Sequence, residues 1–579
     1  MKRRKTSARL SGIICLLIPL IFTACTRSAN TSVQLTRIAE QEAFYRSTAI
    51  QIIVENPDTA TPSPLPTETP LVSDTPVPVT DTPIPPTATA TDTATPEPPT
   101  ATPRSTFPVE TIAPATATPT PEHIEPTKTP TPDIPLPDLS ADFSRKAFYI
   151  VQTGDTAEAI AYRYGVSADQ ILGLENQNTE KGFLKPGTQL LVHAPNRTYS
   201  SAQRILPDEY IVMGYPSIGY DLEYEVQNAG GYLASYSEYT SSGNLSGTEI
   251  INKVAHDYSI SPIILMELLE YKSHWVSGNP ASIVEEHFPL GWLGENSEGL
   301  YRQMIWAAQE LSKGYYGWRY ATLSEIPFYK NPQPDYPFYF NPELNAGSVA
   351  VQYLFAQLYT YEDYEDAIYG PEGFLQQFYL DFGNVWDYYL PDPNGFNDKL
   401  TQPLLTLPFA EGDEWCITGG PHESWTTGSP LGALDFAPRM AEHGCALSNS
   451  WVTAPIRGLV IRDGVGTVVL DLDMDGHEET GWVIYYLHIR SEDRVQVGTK
   501  VPPQGRIGHP SCEGGNATGT HVHIARKYNG EWVNAFGPIP FEMSGWIPFG
   551  GQAYRGGLTR GDVTVIAQAY ASSETLIGY

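Results

Sequence analysis

Five side chains in the C-terminal third of this 579-residue chain could do chemistry together: His422, Asp435, His488, His521 and His523. They stand in three stretches, TGGPHESWTTGSPLGALDFAP, GWVIYYLHI and GTHVHIARKY. Two imidazoles and one carboxylate suit a zinc ion whose fourth coordination position stays open for water, the arrangement of a hydrolytic rather than a structural site. The remaining two histidines would be free to move protons. Seven of the twelve histidines, at 422, 443, 477, 488, 509, 521 and 523, fall after residue 400, which scattered surface histidines would not do. His443, His477 and His509 read as ordinary solvated or hydrogen-bonded residues.

The elements that must position this set are strands. HVH lies in an alternating run, and side chains two apart on a strand point to the same face, so His521 and His523 can address one metal and its bound water. His488 follows the apolar run WVIYYL, and a neighbouring antiparallel strand would bring it alongside that pair.

Over roughly residues 410 to 545, about a quarter of the chain, these motifs resemble the lysostaphin and beta-lytic type zinc metallopeptidases that cut peptidoglycan peptides. The commonest pattern of that family places its first His four residues before the Asp, where this chain has Leu431. The beta-lytic branch has GGxH and a longer loop, and GGPH with Asp435 thirteen residues on fits it. The resemblance implies His422, Asp435 and His523 as zinc ligands and His521 and His488 as the catalytic histidines. Zinc would lower the pKa of its water toward about 7 and polarise the scissile carbonyl. His521 would take the water's proton, and His488 would stabilise the oxyanion or protonate the leaving amine. Cys416, Cys445 and Cys512 also fall here, and three thiols allow one bridge and one free group. The resemblance favours Cys445 with Cys512; a thiolate ligand to zinc is the rival reading.

The chain opens with MKRRKTSAR, an apolar GIICLLIPLIF and then TAC, a secretory signal too short to span a membrane. The small residues before Cys25 look like a lipoprotein cleavage box that would leave this Cys lipidated, with Phe22 where Leu is usual. Simple secretion and an uncleaved anchor are the other readings. Residues 26–55 read as a short segment with some helical character. A net charge of −31 argues against a nucleic-acid partner, because neutralising phosphates takes clustered Lys and Arg. From 56 to 139 the chain is Pro and Thr with few large apolar residues, so it cannot bury a core and is expected to stay disordered. About 80 residues at about 3.1 Å each reach on the order of 200 Å, a stalk from a membrane into the wall.

Residues 146–194 read as strand, Gly-Asp-Thr turn, helix, helix, Pro-Gly turn and strand, with Thr156 capping the first helix. This βααβ pattern resembles the glycan-binding LysM module. The resemblance implies Gly154, Asp155, Thr156 and Ala157 in one loop, and Ile171, Leu172 and Asn176 near the second, as the sugar groove. Ala157 stands where Leu is common.

Residues 202–400 predict an all-α domain, with Ser261-Pro262 starting a buried helix through IILMELLEYKSHW. Its context resembles a lysozyme-like transglycosylase, but Lys272 occupies the place of the catalytic Glu and cannot donate a proton as a carboxylic acid does. Glu270, two residues back, lies about 200° round the helix. The domain is therefore read as inactive. Asp471, Asp473 and Asp475 have the oxygen-rich spacing of a calcium loop, yet their place between two strands favours an acidic hairpin turn.

The expected chain is thus multidomain: leader 1–25, segment 26–55, stalk 56–139, LysM module 146–194, all-α domain 202–400, a β-rich, mainly antiparallel peptidase 405–550 and a tail 551–579. It reads as an exported, anchored zinc endopeptidase of peptidoglycan. Two rivals are a binding pseudoenzyme that activates a partner hydrolase and a glycan-cleaving enzyme working through the middle domain, which Lys272 opposes.

Overall fold

A computed structural model describes residues 145–174, 182–389, 391–392, 394–439 and 444–579, all within the compact unit Thr129–Tyr579. Cys25, the segment 26–55, the stalk 56–139, Asn176 and His443 lie outside the described residues. Among those described, no helix is long and apolar enough to cross a membrane.

The first module begins with strand β1 (Arg145–Ile150) and helix α1 (Ala157–Tyr164). Strands β2 (Ile171–Leu172) and β3 (Gln189–Ala194) complete an antiparallel sheet in the order β1-β3-β2. Thr156 Oγ1 accepts from the Ala159 amide at 3.0 Å and satisfies one of the free N–H groups that open α1. Ile160, Tyr164, Leu190 and Val192 close a small core. The expected second helix is corrected over the described residues: a 3-10 turn at Ala168–Gln170 leads into β2, where Ile171 pairs with Val192 and Leu172 with Leu191. β-branched Ile171 gains more by packing into that core beside β3 than a short isolated helical turn returns.

Helix α2 (Leu222–Ala229) opens the middle domain, followed by a hairpin of β4 (Ser237–Thr240) and β5 (Gly243–Ser246). Helices α3 (Gly247–Tyr258), α4 (Pro262–Ser273), α5 (Ile283–His287), α6 (Leu300–Arg319), α7 (Ala346–Leu358), α8 (Tyr364–Tyr369) and α9 (Phe374–Phe382) follow. The hairpin corrects the all-α expectation; its polar SEYT and GNLS are joined by a tight turn whose pairing needs no apolar period. Ser246 and Glu249 form a capping box on α3. Ser261 caps α4, with Pro262 in the first turn, as the sequence predicts.

The C-terminal domain is built on a sheet of nine strands. They are β6 (Glu414–His422), β7 (Ala433–Pro438), β9 (Gly458–Gly464), β10 (Thr467–Asp471), β11 (Trp482–Leu487), β12 (Lys500–Val501), β14 (Val522–Tyr528), β15 (Glu531–Trp532) and β19 (Leu576–Gly578). The order is β12-β9-β10-β11-β14-β7-β6-β19, with β15 on β14 and every pairing antiparallel. Smaller sheets pair β8 (Val452–Thr453) with β13 (Arg506–Gly508), and β16 (Ile547–Phe549) with β17 (Gly557–Arg560) and β18 (Val563–Ile566). Alternation along the strands serves two cores. Val468, Leu470, Ile484, Tyr486, Val522 and Ile524 turn to the domain's own interior, while Val469, Val483, Tyr485, Leu487 and Ala525 join the core of the helical domain.

Residues 551–579 are not a tail. Ile577 is buried and pairs with Trp415, while Leu576 pairs with Cys416, so β19 completes the sheet edge. Leaving that edge open would expose a row of unpaired backbone groups on β6.

Candidate metal centre

Three adjacent strands converge on one point. In register, His523 of β14 lies beside Asp435 of β7, and Asp435 beside Gly419 of β6. Two irregularities in β6, between Ile417 and Gly419 and between Gly419 and His422, swing His422 back toward the same spot. The two glycines of GGPH are steric requirements there. A Cβ on Gly419 would stand 2.4 Å from Asp435 Oδ2, and one on Gly420 would stand 2.6 Å from the Arg555 carbonyl oxygen.

His422 Nε2 and His523 Nδ1 are 3.0 Å apart, and Asp435 Oδ1 lies 3.3 and 3.4 Å from them. The other nitrogen of each ring faces a carbonyl, which can only accept: His422 Nδ1 donates to Gly420 O at 2.8 Å and His523 Nε2 to Ser424 O at 2.9 Å. The neutral rings thus turn two lone pairs and one carboxylate oxygen toward a common centre. Among the described residues Asp435 Oδ1 is buried without a hydrogen-bond donor. Three facing electron pairs repel unless a cation sits between them, and bonds of about 2.1 Å in a tetrahedron span edges of about 3.4 Å, so this donor set fits zinc.

The charges of these groups act strongly on one another. Burial pushes the Asp435 carboxyl up, but the imidazoles of His422 and His521 outweigh it and hold it well below the usual range. Burial pulls His422 down, yet Asp435 leaves it raised. His523 is lowered by burial.

The two remaining histidines flank the centre. His521 Nε2 is 3.7 Å from Asp435 Oδ1, and the rings of His488 and His521 are 4.5 Å apart. Nδ1 of His521 faces Gly519 O at 2.7 Å and Nδ1 of His488 faces Glu513 O at 3.1 Å, which turns Nε2 of each ring toward the site. Burial and then the neighbouring imidazoles lower His488 to about 4, so it is neutral at physiological pH. His488 follows β11 at φ 64°, a left-handed residue that turns the chain at the strand's end. A cavity of about 230 Å³ opens beside Asp435 and His521, with Gly444, Thr520 and Tyr554 on its walls.

Tyr554 was invisible to motif reading. Its ring stacks on His422 at 4.2 Å, and burial raises its phenol to about 12. The one available signal was an aromatic in a Gly-rich segment. Cys445 and Cys512 are joined in a disulfide that ties the loop beside the cavity to the one preceding HVH; Cys416 is buried and free, its Sγ donating to Ser572 O at 3.3 Å.

At the other predicted positions the structure shows these local contacts. Asp155 is buried in an ion pair with Arg163 (2.7 Å) and accepts from Tyr149 OH (2.6 Å). Thr156 caps α1, Ala157 begins it, Ile171 lies in the core and Leu172 is half exposed. Asp471 is consumed by its own turn, accepting from the Asp473, Met474 and Gly476 amides at 3.1, 3.1 and 2.9 Å. Glu270 accepts from the Val276 and Ser277 amides, both at 3.0 Å, and holds the turn after α4. Lys272 donates to Tyr359 OH at 2.7 Å, and burial lowers it to about 8.

Fold and site together define a LytM-like metallopeptidase that carries a LysM module and a helical domain. Residues 149–193 match the family model LysM domain, and residues 204–394, in the helical segment, match "LasA, N-terminal domain". The chain is homologous to Protease LasA of Pseudomonas aeruginosa, 26% identical over 363 residues, which cover 58% of this chain and 77% of that protein. It is also homologous to beta-lytic metalloendopeptidase of Achromobacter lyticus, 28% identical over 176 residues covering 29% and 44%. Among solved structures, the deep-sea M23 metalloprotease pseudoalterin is 24% identical with a TM-score of 0.25, covering 29% of this chain and 96% of that one.

Proposed function

We propose that this chain is a zinc-dependent endopeptidase that cuts peptide bonds in peptidoglycan and is directed to the wall by its LysM module. The observation that carries the reading is the meeting of three unprotonated donor atoms, His422 Nε2, His523 Nδ1 and Asp435 Oδ1, within 3.4 Å of one another. Zinc bound there supplies a Lewis acid and a water acidified toward a pKa of about 7. His521 is the nearer of the two free imidazoles to the carboxylate, so its Nε2 accepts the proton of the attacking water. His488, with its ring 4.5 Å from His521, relays that proton to the leaving amine. Tyr554 and the Gly420 carbonyl keep the His422 ring from turning.

The reading is of a protein outside the cytoplasm, either anchored through Cys25 or a signal anchor or secreted; the Cys445–Cys512 disulfide supports an oxidising compartment. A LysM module on the same chain raises the local concentration of wall peptides without new contacts at the metal. The test is mass spectrometry of purified peptidoglycan digested by the protein. Muropeptides cut in their peptide stems or bridges, with none after chelation, are expected. Anhydro-sugar ends would transfer the activity to the helical domain, and unchanged muropeptides with zinc stoichiometry near zero would make the chain a binding pseudoenzyme.

A further inference from the structure

The loop that the LysM resemblance assigns to sugar is closed in the folded chain. The Gly154 amide donates to the Phe396 carbonyl at 2.7 Å, and Arg319 Nη1 donates to Thr153 O at 2.5 Å. Gln152 Nε2 reaches the Glu343 and Leu344 carbonyls at 3.1 and 3.3 Å. A methyl group on Gly154 would stand 2.1 Å from Arg319 Nη1, so a pyranose ring has no room beside it.

The seal is anchored in all three domains. Phe183 of the LysM module packs edge-on against Phe396 at 5.5 Å and shares a buried apolar cluster with Tyr528, Val533 and Ile539 of the peptidase domain. Arg319, on helix α6, also binds Asp208 at 3.0 Å and Glu531 of β15 at 2.9 Å. A single guanidinium therefore spans the LysM loop, the helical domain and the peptidase sheet.

We propose that the Gly154–Ala157 face of the LysM module is shut by this intramolecular contact, and that it takes up an N-acetylglucosamine chain only when the module lifts off helix α6 and Phe396. The proposal rests on the glycan-binding reading of the module. Its physical content is a conformational one: the affinity seen is the intrinsic affinity reduced by the fraction of chains that are open.

The experiment titrates chitotetraose calorimetrically into the full chain and into Phe396→Ala, which deletes the ring shared by Phe183, Tyr528 and Arg319 while leaving the loop unaltered. Gln152→Ala serves as a second opened form should the first fail to fold. The expected result is a Kd at least about tenfold tighter in the variants than in the parent. The Gly154 amide should resist hydrogen exchange in the free parent and lose that protection at saturating sugar. Equal affinities with the amide still protected in the complex overturn the seal while leaving the glycan reading intact. Absence of binding in every chain overturns both.

Discussion

Arg319 and Glu531 form a buried, two-pronged ion pair, Nε to Oε1 at 2.9 Å and Nη2 to Oε2 at 3.0 Å, that joins the last turn of α6 to the edge of the peptidase sheet. Tyr315 OH adds a third hydrogen bond to the same carboxylate, at 2.7 Å. The helical domain is thereby bonded into the peptidase fold, not tethered beside it. Removing Glu531 leaves the buried Arg319 guanidinium with Asp208 as its remaining carboxylate partner. Glu531→Ala is expected to cost about 3–5 kcal/mol in denaturant unfolding, while the double change Arg319→Met, Glu531→Leu should recover most of that loss. A single mutant as stable as the parent would show the pair to be idle.

The roles of the histidines separate cleanly. His523→Ala removes a donor atom and should abolish both zinc content and cleavage. His521→Ala leaves the three donors in place, so zinc should be retained while turnover falls about 10²–10⁴-fold. Metal analysis alongside muropeptide release checks both; a zinc-free His523→Ala protein with normal activity sinks the assignment.

Gly419→Ala tests the shape of the centre without touching a donor. Its new methyl would meet Asp435 Oδ2 at 2.4 Å and push the carboxylate off its place. Zinc affinity should fall about 10–100-fold, read by competition with a chromophoric chelator, with the far-UV spectrum unchanged.

Glu267 offers a pH signature far from the metal. Burial, and then the charge of Asp381, raise its carboxyl from 4.5 to about 9. Below about pH 4.5 the group is protonated in folded and unfolded chains alike. Between 4.5 and 9 only the folded chain keeps the proton, so this group's contribution to stability falls as pH rises through that window. Glu267→Gln should be more stable than the parent at pH 8 by about 1–3 kcal/mol and equal to it near pH 4. A constant difference across that range would contradict the shift.

Local rules made several features legible. Thr156 before α1 and Ser261-Pro262 before α4 read as helix starts because a cap involves only neighbouring residues. The period of two in HVH put His521 and His523 on one face, and the run before His488 announced the adjoining strand, now paired as Leu487 with His523. The second helix of the first module was expected where a 3-10 turn leads into β2, because so few residues carry too little pattern to separate a strand from a helical turn. Strand β19 went unseen because its partner, Cys416, lies far away in sequence.

The sequence by itself determined the chemistry at hand: two kinds of donor, their alternation on strands, a loop with GGPH, and cysteines able to form a bridge. Side-chain type and short-range spacing are enough for those. Only the tertiary structure decided which nitrogen of each ring faces the centre, because that depends on the carbonyls of Gly420, Ser424, Gly519 and Glu513. It alone brought Tyr554 onto His422 and Arg319 onto the LysM loop. Contacts between residues far apart in the chain are selected by the packing of whole domains, which no local pattern encodes.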